Sequence, residues 1–317
     1  MADLISAARM VRTAAEVAWR RARRGPQRAG WSFVIELGCR YMKDDFQRNR
    51  HQDLIALRQH VDRLAFPSLP PHRVVPRRTH LGDRPAWVYE PAGAPPEQHL
   101  LYLHGGGYVY GSIHSHGAFV SRLASMTGLR TWFPEYRLAP EHAFPAALDD
   151  CVAAYEALLA QGVDPANLVV AGESAGGGLV LGVLQTLRDT GRPLPRAGVL
   201  VSPWVDHTLS SASIDENGPD DFADRDLAAR WSAAYLQGAD PRNPLVSAVF
   251  ADLHDLPPLF LQSGEAEMLR DENRAFAQRA RDAGVDLTHD EWDAMFHVWQ
   301  FGAPLLPEAN RAMVRLA

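Results

Sequence analysis

The spacing of apolar residues divides the chain into two parts. Over residues 1–66, apolar positions such as Leu4 and Ile55 recur at helical spacing, and a proline-rich stretch, Pro67 to Pro76, follows them. After that stretch, short apolar runs bounded by turn residues alternate with longer stretches of helical spacing. The pattern predicts an N-terminal helical cap region over 1–66 and an alternating strand–helix domain over 67–317.

The second part has the pattern of an α/β protein. Its strand-like runs are 73–81, 84–90, 99–105, 130–136, 167–173, 197–204 and 257–264, and its helical stretches are 115–127, 144–161, 175–190, 225–237 and 271–283. Such alternation implies a mostly parallel sheet with helices on both faces, and the first two runs suggest an antiparallel edge. The less regular segment around 205–240 lies between two strands, where we expect a cap insertion.

Composition narrows the class of protein. The 317 residues carry a formal net charge of −6, which gives no electrostatic reason to expect a nucleic acid partner. Cys39 and Cys151 are the two cysteines, and His114 and His116 lack acidic or cysteine partners at ligand spacing, so no disulfide framework or metal site is predicted.

The N-terminal sequence does not have the pattern of a secretory signal. No apolar stretch approaches the roughly 18 residues that a membrane-spanning helix needs. The arginine-rich start is interpreted as a solvated helix face, and contact with an anionic membrane surface is the alternative. We expect a cytoplasmic protein without stable membrane insertion.

The strongest motif is VVAGESAGGG. Gly172, Ser174 and Gly176 fit the G-x-S-x-G pattern between an apolar strand and an apolar helix. A serine at such a sharp turn needs small residues two positions before and after it. It also lies at the helix N-terminus, where N–H groups favour developing negative charge. Ser174 is therefore the candidate nucleophile, and the alternative is a serine that only caps the helix.

The glycine run in LLYLHGGGYVYG supplies candidate donors for an oxyanion. Consecutive glycines let backbone N–H groups point into a site without side chains in the way. We assign Gly106, Gly107 and Ala175, the residue after the candidate nucleophile, as these donors. His104 is interpreted as a structural support of the glycine loop.

A serine nucleophile needs a base, and the base needs an acid that orients it. After a G-x-S-x-G turn the expected chain order is serine, acid, histidine, so the base should follow the last strand. The stretch LTHDEWDAMFHVWQFG offers two histidines. His289 lies inside a strand-like part, whereas His297 lies in a loop that leads to the final helix. We choose His297 as the base.

The acid must follow the strand-like run PPLFLQSG, and four carboxylates do so. Asp271 and Glu272 fit the first turn of the next helix, where carboxylates serve as caps. Glu265 and Glu267 both lie in the intervening loop. The pattern of residues alone does not separate these two.

Several motifs together resemble the hormone-sensitive lipase family of bacterial esterases, which has the α/β-hydrolase fold. They are the HGGG run, the GESAGG turn, YRLAPEHAFPAALDD, SPWVD, YLQGADPRNPLVS and LPPLFLQSGEAEMLRDE, and the likeness extends from about Val88 to His297. The family's acid is the first carboxylate of a segment like EMLRDE. This implies Glu267, where many relatives carry aspartate. Glu173 departs from the aspartate or threonine that relatives often have.

The resemblance implies a serine carboxylesterase that hydrolyses short- to medium-chain esters with a Ser-His-Glu triad, with no metal or organic cofactor. We expect the pocket for a small-molecule ester to lie under the cap, near the aromatic residues Tyr108, Trp204 and Trp299. A homodimer is expected from the family alone. Two rival roles are a receptor-like binding module, which would lack the histidine base, and an acyltransferase or amidase with the same triad.

Overall fold

A central sheet organises the residues that the computed structural model describes, 2–64 and 74–317. Its eight strands are β1 (Arg77–Leu81), β2 (Arg84–Tyr89), β3 (His99–Leu103), β4 (Arg130–Pro134), β5 (Leu168–Glu173), β6 (Ala197–Val201), β7 (Leu259–Gly264) and β8 (Leu287–Trp292). They lie in the order β1-β2-β4-β3-β5-β6-β7-β8. Strand β2 is antiparallel to both neighbours and every other neighbouring pair is parallel. The predicted mostly parallel sheet with an antiparallel edge is confirmed.

Ten α-helices lie within the described residues. They are α1 (Ala2–Arg24), α2 (Phe33–Asn49), α3 (Leu54–Arg63), α4 (Ile113–Thr127), α5 (Ala146–Ala160), α6 (Ala175–Asp189), α7 (Ser213–Asn217), α8 (Arg225–Leu236), α9 (Arg270–Asp282) and α10 (Pro307–Leu316). The five helices predicted between residues 115 and 283 correspond to α4, α5, α6, α8 and α9. The short α7 lies in a segment of loop composition that predicted no helix.

The sheet is covered on both faces, which explains the continuous apolar runs of its central strands. All five residues of β3 are buried. Leu101 and Leu103 pack into the larger core cluster with α5 and α6, while Leu100 and Tyr102 pack into a second cluster with α4 and α10. Successive side chains of a strand point to opposite faces, so both faces of β3 must be apolar. The carboxyl ends of the parallel strands are consequently the place left for a site.

Within the described part of the predicted run 73–81, the strand begins at Arg77, because Pro76 has no N–H to donate to a neighbouring strand. Residues 65–73 lie outside the described part, and the predicted boundary between the cap region and the catalytic domain falls among them. In the N-terminal region α1 ends at Gly25, whose φ of +77° suits glycine and whose N–H donates to the Arg21 carbonyl at 3.0 Å.

The N-terminal helices contact the predicted cap insertion directly. Lys43 Nζ in α2 donates to the Gly218 carbonyl at 2.6 Å, and Gln47 Nε2 donates to an Asp224 carboxylate oxygen at 2.6 Å. These contacts support the proposal that residues 1–66 and the insertion around 205–240 form one cap over the catalytic domain, 67–317. Within residues 2–64 and 74–317, no helix combines the length and apolar character needed to cross a membrane.

Candidate active site

Ser174 lies at the turn between β5 and α6. Its backbone has φ 54° and ψ −122°, a region that non-glycine residues rarely adopt. The flanking glycines make this turn possible. A Cβ on Gly172 would lie 2.5 Å from the Gly176 carbonyl oxygen, and a Cβ on Gly176 would collide with the Leu103 carbonyl. The sharp turn leaves Ser174 partly exposed while its neighbours on both sides are buried.

The glycine loop after β3 lies beside this turn. Gly106 and Gly107 have φ of 105° and 58°, and a Cβ on Gly106 would collide with the Tyr110 carbonyl. Within the described residues the N–H groups of Gly106, Gly107 and Ala175 donate to no protein acceptor. Because backbone N–H groups near a protein interior are normally paired, three free ones beside a serine are donors available to a bound group.

His297 lies in the loop after β8 and faces the serine. Its Nε2 is 2.9 Å from Ser174 Oγ, and the imidazole is buried. The competing histidine, His289, lies within β8 and its Nε2 contacts Ser263 Oγ at 2.7 Å instead. The structure therefore brings His297, and not His289, to Ser174.

Glu267 approaches the other side of the imidazole. Its Oε2 accepts from His297 Nδ1 at 2.9 Å, and its Oε1 accepts from the Gly264 N–H at 2.9 Å. The carboxylate is completely buried. Both oxygens thus have a fixed donor, which leaves the carboxylate one orientation.

The other three carboxylates have different partners. Asp271 accepts from the Ser213 N–H and pairs with Arg270. Glu272 accepts from the N–H groups of Val205 and Asp206, at 2.8 and 3.1 Å. Burial raises the pKa of Glu272 well above its ordinary value. Glu265 has an exposed side chain, 4.0 Å from Arg270.

The pKa of His297 results from opposing effects. Burial acts to lower the pKa, because it penalises the charged imidazolium. The hydrogen bond to Glu267 and the negative charge of Glu267 act in the other direction, and Asp221 and Glu173 add to them. Together, this hydrogen bond and the negative charges around the imidazole outweigh the effect of burial. The pKa of His297 is therefore raised above its ordinary value of 6.5.

Three comparisons with known proteins bear on this arrangement. A family model described as alpha/beta hydrolase fold matches residues 100–301. The chain is 46% identical over 215 residues to an acetyl-hydrolase of Streptomyces hygroscopicus, over 68% of this chain and 72% of that protein. An esterase of the bacterial hormone-sensitive lipase family has a similar crystal structure, with TM-score 0.83 and 41% identity, over 87% of this chain and 93% of that one. The chain belongs to this family.

A further similar crystal structure is that of an esterase soaked with p-nitrophenyl butyrate. It has TM-score 0.80 and 34% identity, over 97% of this chain and 96% of that one. The predicted α/β-hydrolase fold is confirmed, as are the family and the enzyme class, a carboxylic ester hydrolase.

Glu173, the residue before the serine, has more contacts in this family member than its sequence position suggests. Its carboxylate accepts from the Gly105 N–H and from the Tyr102 hydroxyl, and His116 Nε2 lies 3.0 Å away. Glu173 is buried, so it ties the glycine loop to the turn that carries Ser174. No spacing rule in the sequence connects residues 105 and 173, and this contact was not predicted.

His104 lies where the sequence interpretation placed it, at the base of the glycine loop. Its ring stacks on Tyr136 at 4.2 Å between centroids, and the Tyr136 hydroxyl donates to the His104 carbonyl at 2.6 Å. Burial lowers the pKa of His104 well below its ordinary value, so the ring is neutral.

The three aromatic residues predicted near the substrate are all packed in the interior. Tyr108 stacks on Tyr235 with ring centroids 3.8 Å apart, and Trp204 stacks on His207 at 4.4 Å. Trp299 is fully buried in a separate core cluster, which it forms with residues of α2 and α10. Tyr108 and Trp204 therefore pack behind the site, and Trp299 is part of the core.

Other aromatic residues lie directly beside the reactive groups. Phe222 is 5.4 Å from His297 between ring centroids, and a Cβ on Gly107 would lie 2.9 Å from the Trp231 ring. Phe46 of α2 packs on both Phe222 and Trp231, at 5.5 and 5.8 Å. Phe46 comes from the N-terminal cap region and the other two come from the cap insertion, and no sequence pattern predicts that they meet beside the site.

Proposed function

We propose that this family member is a serine carboxylesterase that hydrolyses short- to medium-chain esters through an acyl-enzyme intermediate. The observation that carries the proposal is one chain of hydrogen bonds. It runs from Ser174 to His297 at 2.9 Å and from His297 to Glu267 at 2.9 Å. A nucleophile, a base and an orienting acid need this geometry.

The mechanism follows from the positions of these groups. His297 Nε2 removes the Ser174 proton while Oγ attacks the ester carbonyl, and the carbonyl oxygen becomes an oxyanion. The free N–H groups of Gly106, Gly107 and Ala175 stabilise that charge. His297 then gives its proton to the leaving alcohol, and a water molecule repeats the sequence on the acyl-enzyme.

The aromatic residues over the site support a limit on substrate size. Phe46, Phe222 and Trp231 are each less than 10% exposed. Phe46 packs on the other two rings, which lie beside His297 and Gly107. Rings that already fill the space beside the oxyanion donors leave less room for a long acyl chain. The acetyl-hydrolase name of a relative and the butyrate ester used with another support the same size range.

The acyl-chain range is tested with p-nitrophenyl esters from acetate to palmitate, using the purified protein. We expect kcat/KM to be highest for a short or medium chain and to fall towards palmitate, because long chains must displace the packed rings. Product analysis with added methanol or an amine shows whether water is the main acyl acceptor. A kcat/KM that rises steadily to palmitate would contradict the proposed substrate range.

The pH dependence of the reaction should report His297. Since only the neutral imidazole accepts the serine proton, kcat/KM should fall as pH decreases through the raised pKa of His297. We therefore expect the midpoint of the acid limb above pH 6.5. The measurement is kcat/KM for p-nitrophenyl acetate between pH 5 and 9. A flat profile over that range, with acylation rate-limiting, would be incompatible with a histidine base.

Location and assembly remain predictions. A cytoplasmic location is proposed from the few cysteines, and a homodimer is proposed from the family alone. The small-molecule ester is the partner that the site geometry supports.

A further inference from the structure

Asp221 is a buried carboxylate that the proposed mechanism does not use. It lies in the loop between α7 and α8, within the predicted cap insertion, and its side chain is fully buried. No arginine or lysine within the described residues forms a salt bridge with it. A buried charge without a cationic partner is costly, so its position calls for another explanation.

The hydrogen bonds of Asp221 go to the two loops that carry the candidate base and acid. Its Oδ1 accepts from the His297 N–H at 3.3 Å and from the N–H of Phe222 at 2.8 Å. Its Oδ2 accepts from the N–H of Met268, the residue after Glu267, at 2.9 Å. One carboxylate from the cap thus holds the backbone on both sides of the Glu267–His297 hydrogen bond.

The end of α7 and the start of this loop make a second contact with the acid and several with the N-terminal region. Asn217 Nδ2 donates to the Glu267 carbonyl at 2.9 Å. Arg28 donates to the side chains of Asn217 and Asp220, at 2.6 and 3.0 Å, and Cys39 Sγ donates to the Asp220 carbonyl at 3.0 Å. The loop therefore lies between the N-terminal helices and the two loops that carry the base and the acid.

We propose that Asp221 is a positioning residue of the esterase reaction, which fixes the His297 and Glu267 loops relative to each other and connects their geometry to the N-terminal cap helices. This inference rests on the proposed triad. The side chain of Asp221 contacts the backbone of the two loops, and it acts through the N–H groups of His297 and Met268.

The charge of Asp221 gives the proposal a second readout. Burial raises the pKa of Asp221, while the His297 imidazole and the backbone N–H of Met268 favour its charged form. The ionisable groups facing His297 are Glu267 from the acid loop, Asp221 from the cap and Glu173 beside the nucleophile. A negative Asp221 stabilises the imidazolium, so its removal lowers the pKa of His297.

The test is Asp221→Asn. The amide keeps the size but has only one acceptor atom, so an NH₂ group must face either Met268 or the donor pair of Phe222 and His297. The resulting shift of a triad loop should lower kcat by about 10- to 100-fold with KM changed little, because small misplacements of reacting groups have effects of that order. The acid limb of kcat/KM should also move to lower pH.

A matched control is Asp206→Asn. Asp206 is likewise buried and accepts from one backbone N–H and two hydroxyls, at Thr208 and Ser210, but contacts neither triad loop. We expect this variant to change stability while leaving the pH profile as in the wild type. Equal losses of kcat and equal pH profiles in the two variants would overturn the proposal, because they would indicate a general structural role.

If Asp221→Asn does not fold, Asn217→Ala carries the test. It removes the hydrogen bond that the end of α7 donates to the Glu267 carbonyl, and we expect a lower kcat without a shift of the acid limb, because no charge is lost. An unchanged kcat in this variant would overturn the proposal. The proposed function fails separately, through a wild type that does not hydrolyse esters or an activity that survives loss of Ser174.

Discussion

Replacing Ser174 with alanine should lower kcat for p-nitrophenyl ester hydrolysis by about 10⁶-fold, which is the order of loss seen when a serine hydrolase loses its nucleophile. In the proposed mechanism this hydroxyl attacks the ester, and among the described residues it is the group that contacts His297 Nε2, at 2.9 Å. Residual hydrolysis would come from the oxyanion donors and from binding, which the substitution leaves in place. The measurement is a steady-state assay of wild type and variant, prepared in parallel.

The variant should remain folded, which makes the result interpretable. Apart from His297, the Ser174 side chain has no hydrogen-bond partner among the described residues, and alanine fits wherever serine does. Ser125→Ala, on the exposed surface of α4, is the matched control and should retain wild-type kcat. If Ser174→Ala kept more than about one hundredth of the wild-type kcat, the nucleophile would have to be another residue.

The parts of the molecule that could be predicted from the sequence are those governed by short-range rules. The turn at Ser174 requires small residues at 172 and 176, and the structure shows the collisions that larger residues would cause there. The helices of the catalytic domain follow from apolar spacing in the same way. His297 could be preferred to His289 because a base has to lie beyond the last strand, and the structure places it facing Ser174.

The choice of Glu267 shows the limit of those rules. Glu265 and Glu267 lie in the same loop, and only the family resemblance favoured the second. The structure separates them physically, because the N–H of Gly264 fixes the Glu267 carboxylate towards His297 while Glu265 points to solvent near Arg270. That discrimination depends on the path of a loop over three residues, which periodicity does not determine.

The walls of the site could not be predicted because they join distant segments. Phe46 precedes Phe222 by more than 170 residues in the chain, yet it packs on both Phe222 and Trp231. Tyr108 and Trp204 lie close to the motifs in sequence, but their side chains are packed in the interior. Sequence proximity to a motif is therefore a poor guide to which aromatic side chains lie beside Ser174 and His297.

Replacing Glu267 with glutamine is the second large-effect prediction, and we expect kcat to fall by about 10⁴-fold. Glutamine has a single acceptor oxygen. If that oxygen keeps the N–H of Gly264, the NH₂ group faces His297 Nδ1, which must then accept a hydrogen bond instead of donating one. The imidazole proton moves to Nε2, and His297 can no longer accept the proton of Ser174.

The opposite orientation of the glutamine side chain is also expected to lower kcat. With the oxygen towards His297, the NH₂ group would face the N–H of Gly264 in a fully buried place, and two donors would be left without partners. The charge that raises the pKa of His297 is absent in either orientation, so the remaining activity should show its acid limb at lower pH.

Glu265→Gln, in the same loop but exposed, is the control and should keep wild-type kinetics. A Glu267→Gln variant within tenfold of the wild-type kcat would mean that a different carboxylate orients the base, and Asp221, which already holds the His297 backbone, would be the next residue to replace.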